Sequence, residues 1–475
     1  MKGWQHMDPN AEEAVAEKTD GADDAVEKEH GEVVSELVGA ISAAIESGDR
    51  ETIRSLTADL RAPDLAEAIE FLDREDRVSL INILGDDFDY EVFSELDETV
   101  RDDLSEELPN ELLAKAVTEL DTDDAAYLIE NLEESDRQEI YEQISFEDRA
   151  ALERNFEYEE DTAGRIMQSE YVAVAPFWTV GRVIDYMRES DELPDTFSEI
   201  FVVDPGFKVM GAVQLSRLLR TKREVPVSEI MNPDRYQIQA TEDQEDVARQ
   251  FRKYDLMTAP VVDENDRLVG VITVDDVVDV IQDEAEEDML ALGGVGDETL
   301  TDSVYWTVRS RVPWLVINLG TAILASLVIQ QFDATIEQMV ALAVLMPIVA
   351  SMGGNAATQT MTVTVRALAM NKLSRLNAQR VITRETIVGL ANGLILSVIS
   401  AAVAYYWFGS GPLALVIAAA MVVNLLVAAV AGILVPILLD YYDIDPAPAS
   451  GVLITTATDV IGFFAFLGLA SIWLL

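Results

Sequence analysis

The chain ends in five long apolar runs, at about 312–332, 338–362, 386–408, 413–439 and 450–475. Each can form a membrane-spanning helix, which takes about 20 predominantly apolar residues. Before them the pattern changes twice. From Val33 to about Arg154, apolar positions recur at helical spacing in short units punctuated by Asp, Glu, Pro or Gly, as in LPNELLAKAVTEL from Leu108. That recurrence predicts stacked short helices forming a small superhelix. From about Asp161 to Asp283, short β-branched runs alternate with amphipathic helices. The stretch after Ile200, FVVDPGFKVMGAVQLSRLL, repeats in register after Ala259 as PVVDENDRLVGVITVDDVVDVI. Each copy reads as a hairpin followed by a helix. Residues 277–300 continue as an acidic helix that breaks at Gly293, and residues 1–30 have no periodic apolar face and read as a disordered tail. The predicted architecture is therefore multidomain. It has a tail (1–30), an acidic α-helical superhelix (31–158), an α/β tandem repeat (159–280), a connecting helix (281–308) and an all-α transmembrane domain of five helices (309–475).

Charge sharpens this division. Of 87 acidic and 33 basic residues, only 8 acidic and 7 basic follow position 300, so the soluble part carries nearly all of the formal charge of -54. Such a surface repels nucleic-acid phosphate and anionic lipid. Lys is scarce among the basic residues, and an acid-rich, Lys-poor surface fits a salt-rich cytoplasm. There is no cysteine, which excludes disulfides, thiolate metal sites and thiol chemistry. His6 and His30 lie in the polar tail, without zinc-site spacing. No cleavable signal peptide, nucleophile–base pair or P-loop is visible, so an enzyme is not expected. Arg309 and Arg311 precede the first span, and Arg366, Lys372, Arg375, Arg380 and Arg384 fill the loop between the second and third. The positive-inside rule places both groups in the cytoplasm of a multi-pass plasma-membrane protein, with the soluble domains inside and the C-terminus outside.

Two spans carry candidate chemistry. The last contains Asp459, with no basic residue near it. A carboxylate at bilayer mid-depth costs roughly 2.5–3.5 kcal/mol on insertion scales and marks an ion or proton pathway unless it is protonated or hydrogen-bonded to Thr455, Thr456 or Thr458. The second span contains PIVASMGGNAATQT from Pro347. Pro347 releases the carbonyl of Ala343, Gly353 and Gly354 permit close helix contact or local opening, and Asn355 shares a face with Gln359. Backbone carbonyls, an amide and one carboxylate are hard ligands suited to Mg²⁺ or Ca²⁺, and one carboxylate per chain suits an ion that keeps most of its waters. Asp445 precedes Asp459 by about 21 Å of helix and falls at the cytoplasmic mouth, next to Pro446 as a helix start. In the second repeat, Thr273 and Asp276 form a T-x-x-D element that either holds a nucleotide ribose or caps a helix.

The two repeats resemble a tandem CBS pair. The whole pattern, from the acidic helical N-domain to the P…GGN…Q second span and the DPA…TxxD fifth span, resembles the MgtE family of magnesium channels over roughly residues 32–475. The resemblance implies a homodimer embedded in lipid, a Mg²⁺-selective pore between the two membrane domains, and closure by Mg²⁺ bound between cytoplasmic domains with the connecting helices as a plug. The acids it implies as Mg²⁺ sensors are Glu91, Asp123, Asp255, Asp276, Asp279, Glu284 and Glu287. Tyr127 stands where family members can carry a further carboxylate. ATP or another adenine nucleotide at the CBS pair is the implied cofactor besides Mg²⁺. A secondary transporter coupled to H⁺ or Na⁺, and a membrane-anchored sensor that does not conduct, are the competing readings.

Overall fold

Leucine and isoleucine at helix ends build the N-terminal part. A computed structural model describes residues 33–474 apart from 191, 192, 195, 296–303, 371, 374–376 and 443. The expected tail, part of the expected connecting segment and Arg375 lie outside the described residues. The chain divides into two units, one running to Ile281 and the other starting at Gln282.

Among its described residues the first unit opens with nine short α-helices: α1 (33–47), α2 (Arg50–Thr57), α3 (Ala62–Glu70), α4 (Arg74–Leu84), α5 (Glu98–Glu107), α6 (Asn110–Glu119), α7 (Thr122–Ile129), α8 (Glu134–Gln143) and α9 (Phe146–Asn155). Short polar residues start several of them: Asp49, Asp97 and Ser145 each accept a hydrogen bond from a first-turn N–H. Leu108, Leu120 and Ile144 end α6's neighbours and α6 itself in extended backbone while their side chains face the core. Each helix is thus stopped, pinned and restarted within a few residues. Packing skips along the chain, α2 on α4, α5 on α7, α6 on α8 and α7 on α9, which is the superhelix the periodicity predicts. Ile53, Ile69, Leu80, Phe93, Leu113 and Ile129 fill one continuous core. Buried Arg77 donates to the carbonyls of Ile69, Glu70 and Leu72, satisfying the C-terminal end of α3 from within that core.

Two α/β repeats follow. The first has β1 (Ala173–Val174), α10 (Val180–Glu189), β2 (Glu199–Val203), β3 (Val209–Gln214) and α11 (Leu215–Leu219); the second has β4 (Ile238–Gln239), α12 (Gln244–Tyr254), β5 (Thr258–Val262), β6 (Leu268–Thr273) and α13 (Val274–Gly293). In both, a parallel pair is joined to an antiparallel hairpin, in the orders β1-β2-β3 and β4-β5-β6, with an irregularity at the same place in each hairpin. The repeats are stitched together by Ser198 and Thr258, whose hydroxyls lie 2.7 Å apart, and by Arg235, which pairs with part-buried Glu199 at 2.8 Å and donates to the Thr258 carbonyl. The last repeat helix continues into the first part of the expected connecting segment, since α13 runs from Val274 to Gly293.

The second unit is helical. It contains α14 (Val304–Gln330), the short α15 (Asp333–Gln338), α16 (Ala341–Ala369), α17 (Ala378–Phe408), α18 (Gly411–Tyr441) and α19 (Pro446–Trp473). All but α15 are long and apolar enough to cross a membrane. The most buried is α18, which packs against α16, α17 and α19. Leu345, Val349, Val416, Ile417, Phe466 and Leu467 form one core, and the end of α13, at Ala291 and Leu292, packs on another made by Ala357, Met361, Ala428 and Ile454. Pro347 sits inside α16 without ending it. The freed Ala343 carbonyl therefore costs less than a break in the helix.

Candidate functional site

Two groups of residues stand out. The first is a cluster of acids in the soluble unit, gathered around the buried Asp123. The first turn of α7 presents Asp121, Asp123 and Asp124, and the first turns of α13 present Asp275, Asp276 and Asp279; the charge of Asp276 acts on both Asp123 and Asp124. Asp123 is only 3% exposed, and its Oδ1 has no hydrogen-bond partner. Burial first, then Asp276, Asp124 and Asp121, push its carboxyl well above the usual range. Burial and then Asp276 raise Asp124 to about 7, against a lowering by Arg101. Asp276 is raised to about 6 by burial, although Thr273 donates to it from Oγ1 at 2.6 Å and from its backbone N–H at 3.3 Å. Glu95 extends the row: burial, then Asp279, then Glu91 raise it.

This cluster brings together Asp123, Asp276 and Asp279 from the acids implied by the resemblance, with exposed Glu91 beside Glu95. Glu284 and Glu287 lie further along α13. Asp255 serves differently: it is exposed and caps α12 in the left-handed conformation, its N–H donating to Phe251. Asp124, Asp121, Asp275 and Glu95 were not picked out in the sequence, where nothing distinguished them from the other surface acids. The Tyr127 side chain lies under Arg101, whose guanidinium is 5.4 Å from the ring. Among the described residues no three acidic or histidine side chains are gathered tightly enough to enclose a bare metal ion. An unpartnered buried carboxylate oxygen opposite a second row of acids fits a hydrated divalent cation held partly through its waters. At Thr273 and Asp276 the capping role is the one seen, since both donors of Thr273 are spent on Asp276.

The sign of the pH dependence follows. The folded state holds protons on Asp123, Asp124 and Asp276 that the unfolded chain releases near 3.8. Their contribution to stability is complete below that value and is lost as the pH rises through about 6 and about 7. In chelator, resistance of the soluble unit to urea should therefore fall from about pH 5 to about pH 8, and millimolar Mg²⁺ should flatten that slope. A slope unchanged by Mg²⁺ would separate the cluster from cation binding.

The second group lies in the membrane unit. Asp459 is half-buried on α19 and has no hydrogen-bond or ion-pair partner among the described residues. The neighbouring threonines do not relieve it: Thr455, Thr456 and Thr458 donate to the carbonyls of Gly451, Val452 and Thr455 on their own helix. On α16, Ser351, Asn355, Thr358, Gln359 and Thr362 are all exposed, a polar stripe on a helix meant for hydrocarbon. Its spacing of three or four residues at each step was readable in the sequence, although only Asn355 and Gln359 were noted there. The two glycines divide their work. A Cβ at Gly353 would lie 2.2 Å from Nδ2 of Asn424 on α18, whereas one at Gly354 would meet nothing within 4 Å. Asp445 caps α19, accepting from the Ala447 N–H at 2.8 Å, with Pro446 in the first turn.

A membrane unit of five long helices, carrying an unpaired acid and joined to a soluble unit with two α/β repeats, defines a multi-pass membrane transport protein. Family models agree: residues 60–161 match the MgtE intracellular N domain, 163–224 and 227–283 match CBS domains, and 346–469 match the MgtE divalent cation transporter domain. The chain is 31% identical to the magnesium transporter MgtE of Bacillus subtilis over 92% of this chain and 97% of that one, and 34% identical to that of Thermus thermophilus over 92% and 98%. Similar solved structures include the cytosolic domain of the Mg²⁺ channel MgtE in complex with ATP, which is 32% identical, covers 51% of this chain and 99% of its own, and has a TM-score of 0.48. The chain belongs to the MgtE family of divalent cation transporters. Both relatives are named as magnesium transporters.

Proposed function

We propose that this protein is a Mg²⁺-selective channel that admits magnesium down its electrochemical gradient and is closed by cytoplasmic Mg²⁺. The observation that carries the reading is the unpartnered Asp459 in a unit whose α16 exposes a polar stripe. Asp459 and the amides of Asn355 and Gln359 need water or a polar partner at membrane depth, and a water-filled path between two copies of the chain supplies it. One carboxylate from each of two chains, with the Asn355 amide and backbone oxygens, gives hard oxygen ligands without stripping the ion of its waters. Asp445 stands at the cytoplasmic mouth of the same helix. In this reading the soluble unit is cytoplasmic and the C-terminus external.

Gating follows from the acid cluster. Facing carboxylates repel, and a divalent cation among them favours the closed arrangement by its higher affinity for it. Asp123, Asp276 and Asp279 are the proposed sensing acids, together with Glu91, Asp255, Glu284 and Glu287. The α13 rod transmits their state to the membrane helices as the plug. An adenine nucleotide at Thr273 and Asp276 would share the Asp276 carboxylate with the hydrogen bonds from Thr273, both of which end on Oδ2.

Proteoliposomes test the mode of transport. Mg²⁺ entry should persist unchanged when H⁺ and Na⁺ gradients are collapsed; entry that stops with either gradient would establish coupled exchange instead. Proteolysis tests the sensing. Millimolar Mg²⁺ should protect α13 from cleavage at least tenfold more than NaCl of equal ionic strength, and equal protection by both would reduce the effect to screening.

A further inference from the structure

We infer that Asn424 is a positioning residue for the ion path: its buried amide fixes the rotation of α16 and α19 about their own axes and so sets where Asn355 and Asp459 point. The inference rests on the ion path proposed above. Asn424 is fully buried at the centre of α18, where every near neighbour in sequence is apolar. Its Nδ2 donates to the backbone carbonyl of Val349 on α16 at 2.7 Å. Its Oδ1 has no partner. A leucine or valine would fill this place without the cost of an unsatisfied oxygen.

The surroundings are built to admit the amide. Gly353, one turn beyond Val349, leaves room that a Cβ would take 2.2 Å from Nδ2. Gly462 on α19 does the same, since a Cβ there would lie 2.8 Å from Oδ1. The amide is thus held between two glycines on two different helices and hydrogen-bonded to the Val349 carbonyl of one of those helices. Asn355 follows Gly353 by two residues, about 200° around α16, so fixing Gly353 against Asn424 turns Asn355 to the opposite, exposed side. Asp459 precedes Gly462 by three residues, about 60° around α19 from the same contact. One side chain therefore sets the angular register of both candidate ion-path residues.

The chain contains no cysteine, so single cysteines report α16 rotation directly. In full-length protein in liposomes, Ser351→Cys, Asn355→Cys, Thr358→Cys and Thr362→Cys should react with a membrane-impermeant thiosulfonate. Adding Asn424→Ala should slow Asn355→Cys at least fivefold and shift reactivity to a neighbouring position. The Mg²⁺-to-Ca²⁺ flux ratio should fall at least tenfold. Gly353→Ala should produce the same shift by collision, and Asn424→Ala should relieve that collision in the double variant. An unchanged reactivity pattern and flux ratio in Asn424→Ala would overturn the inference. If Asn424→Ala does not fold, Asn424→Ser takes its place, and failure of both to give folded protein would make Asn424 a stability residue and overturn the inference as well. Wild-type flux in Asp459→Asn would remove the ion-path reading, whereas the cysteine pattern decides on Asn424 by itself.

Discussion

Asp459→Asn is expected to lower Mg²⁺ flux about a hundredfold, the equivalent of roughly 3 kcal/mol of lost ion stabilisation, while the protein folds as well as the wild type or better. The substitution keeps the side chain's size and removes its charge. In the structure that charge satisfies nothing: Asp459 has no partner among the described residues, and the threonines around it bond to their own helix. A group that destabilises the apo protein and stabilises a passing cation should show opposite effects on stability and flux. Thermal melting and Mg²⁺ entry, measured on one preparation, separate the two. Wild-type flux in Asp459→Asn would take the carboxylate out of the ion path.

Neutralising Asp276, Asp279, Glu284 and Glu287 together, by Asn and Gln, should leave conduction intact and raise the Mg²⁺ concentration that closes the channel at least tenfold. All four lie on α13, and Asp276 faces the buried Asp123. Ligand that binds one state better shifts the balance only through that difference, and the variant removes it. Neutralisation also removes repulsion, so a variant that stays closed at every Mg²⁺ concentration has lost the same dependence from the other side. Closure over the wild-type Mg²⁺ range would place the sensor elsewhere. Adding Asp123→Asn and Asp124→Asn should deepen the effect, because burial already holds those carboxyls partly protonated and a cation is what favours their ionised form.

Much of the architecture was legible because it rests on period and composition. The five apolar runs, the repeat in register and the short helical units each follow from where hydrophobic residues fall, and each appears as an element. Helix ends shifted by several residues: α14 starts at Val304, ahead of its apolar run, because polar and basic residues continue a helix as readily as apolar ones. Asp459 was legible because a single charge in hydrocarbon is conspicuous. The acid cluster was legible only in part: the resemblance picked out Asp123, Asp276 and Asp279, but in a chain with 87 acidic residues Asp124 looks like any other acid until folding sets it against Asp276. Asn424 gave a faint signal, one amide in a long apolar span, but its meaning depends on Gly353 and Gly462, which lie on other helices. Tertiary contact decides such cases, and sequence spacing does not contain it.

The central claim is that magnesium crosses through a water-filled path and is not carried by alternating access. Single-channel recording of the purified protein in bilayers, with Mg²⁺ as the only permeant cation, tests it most directly. Discrete openings are expected that pass ions at rates far above about 10³ s⁻¹, suppressed by Mg²⁺ on the cytoplasmic side, with Asp459→Asn passing about a hundredfold less Mg²⁺. Saturating Mg²⁺ uptake without unitary currents, at turnover rates typical of an enzyme, would contradict it.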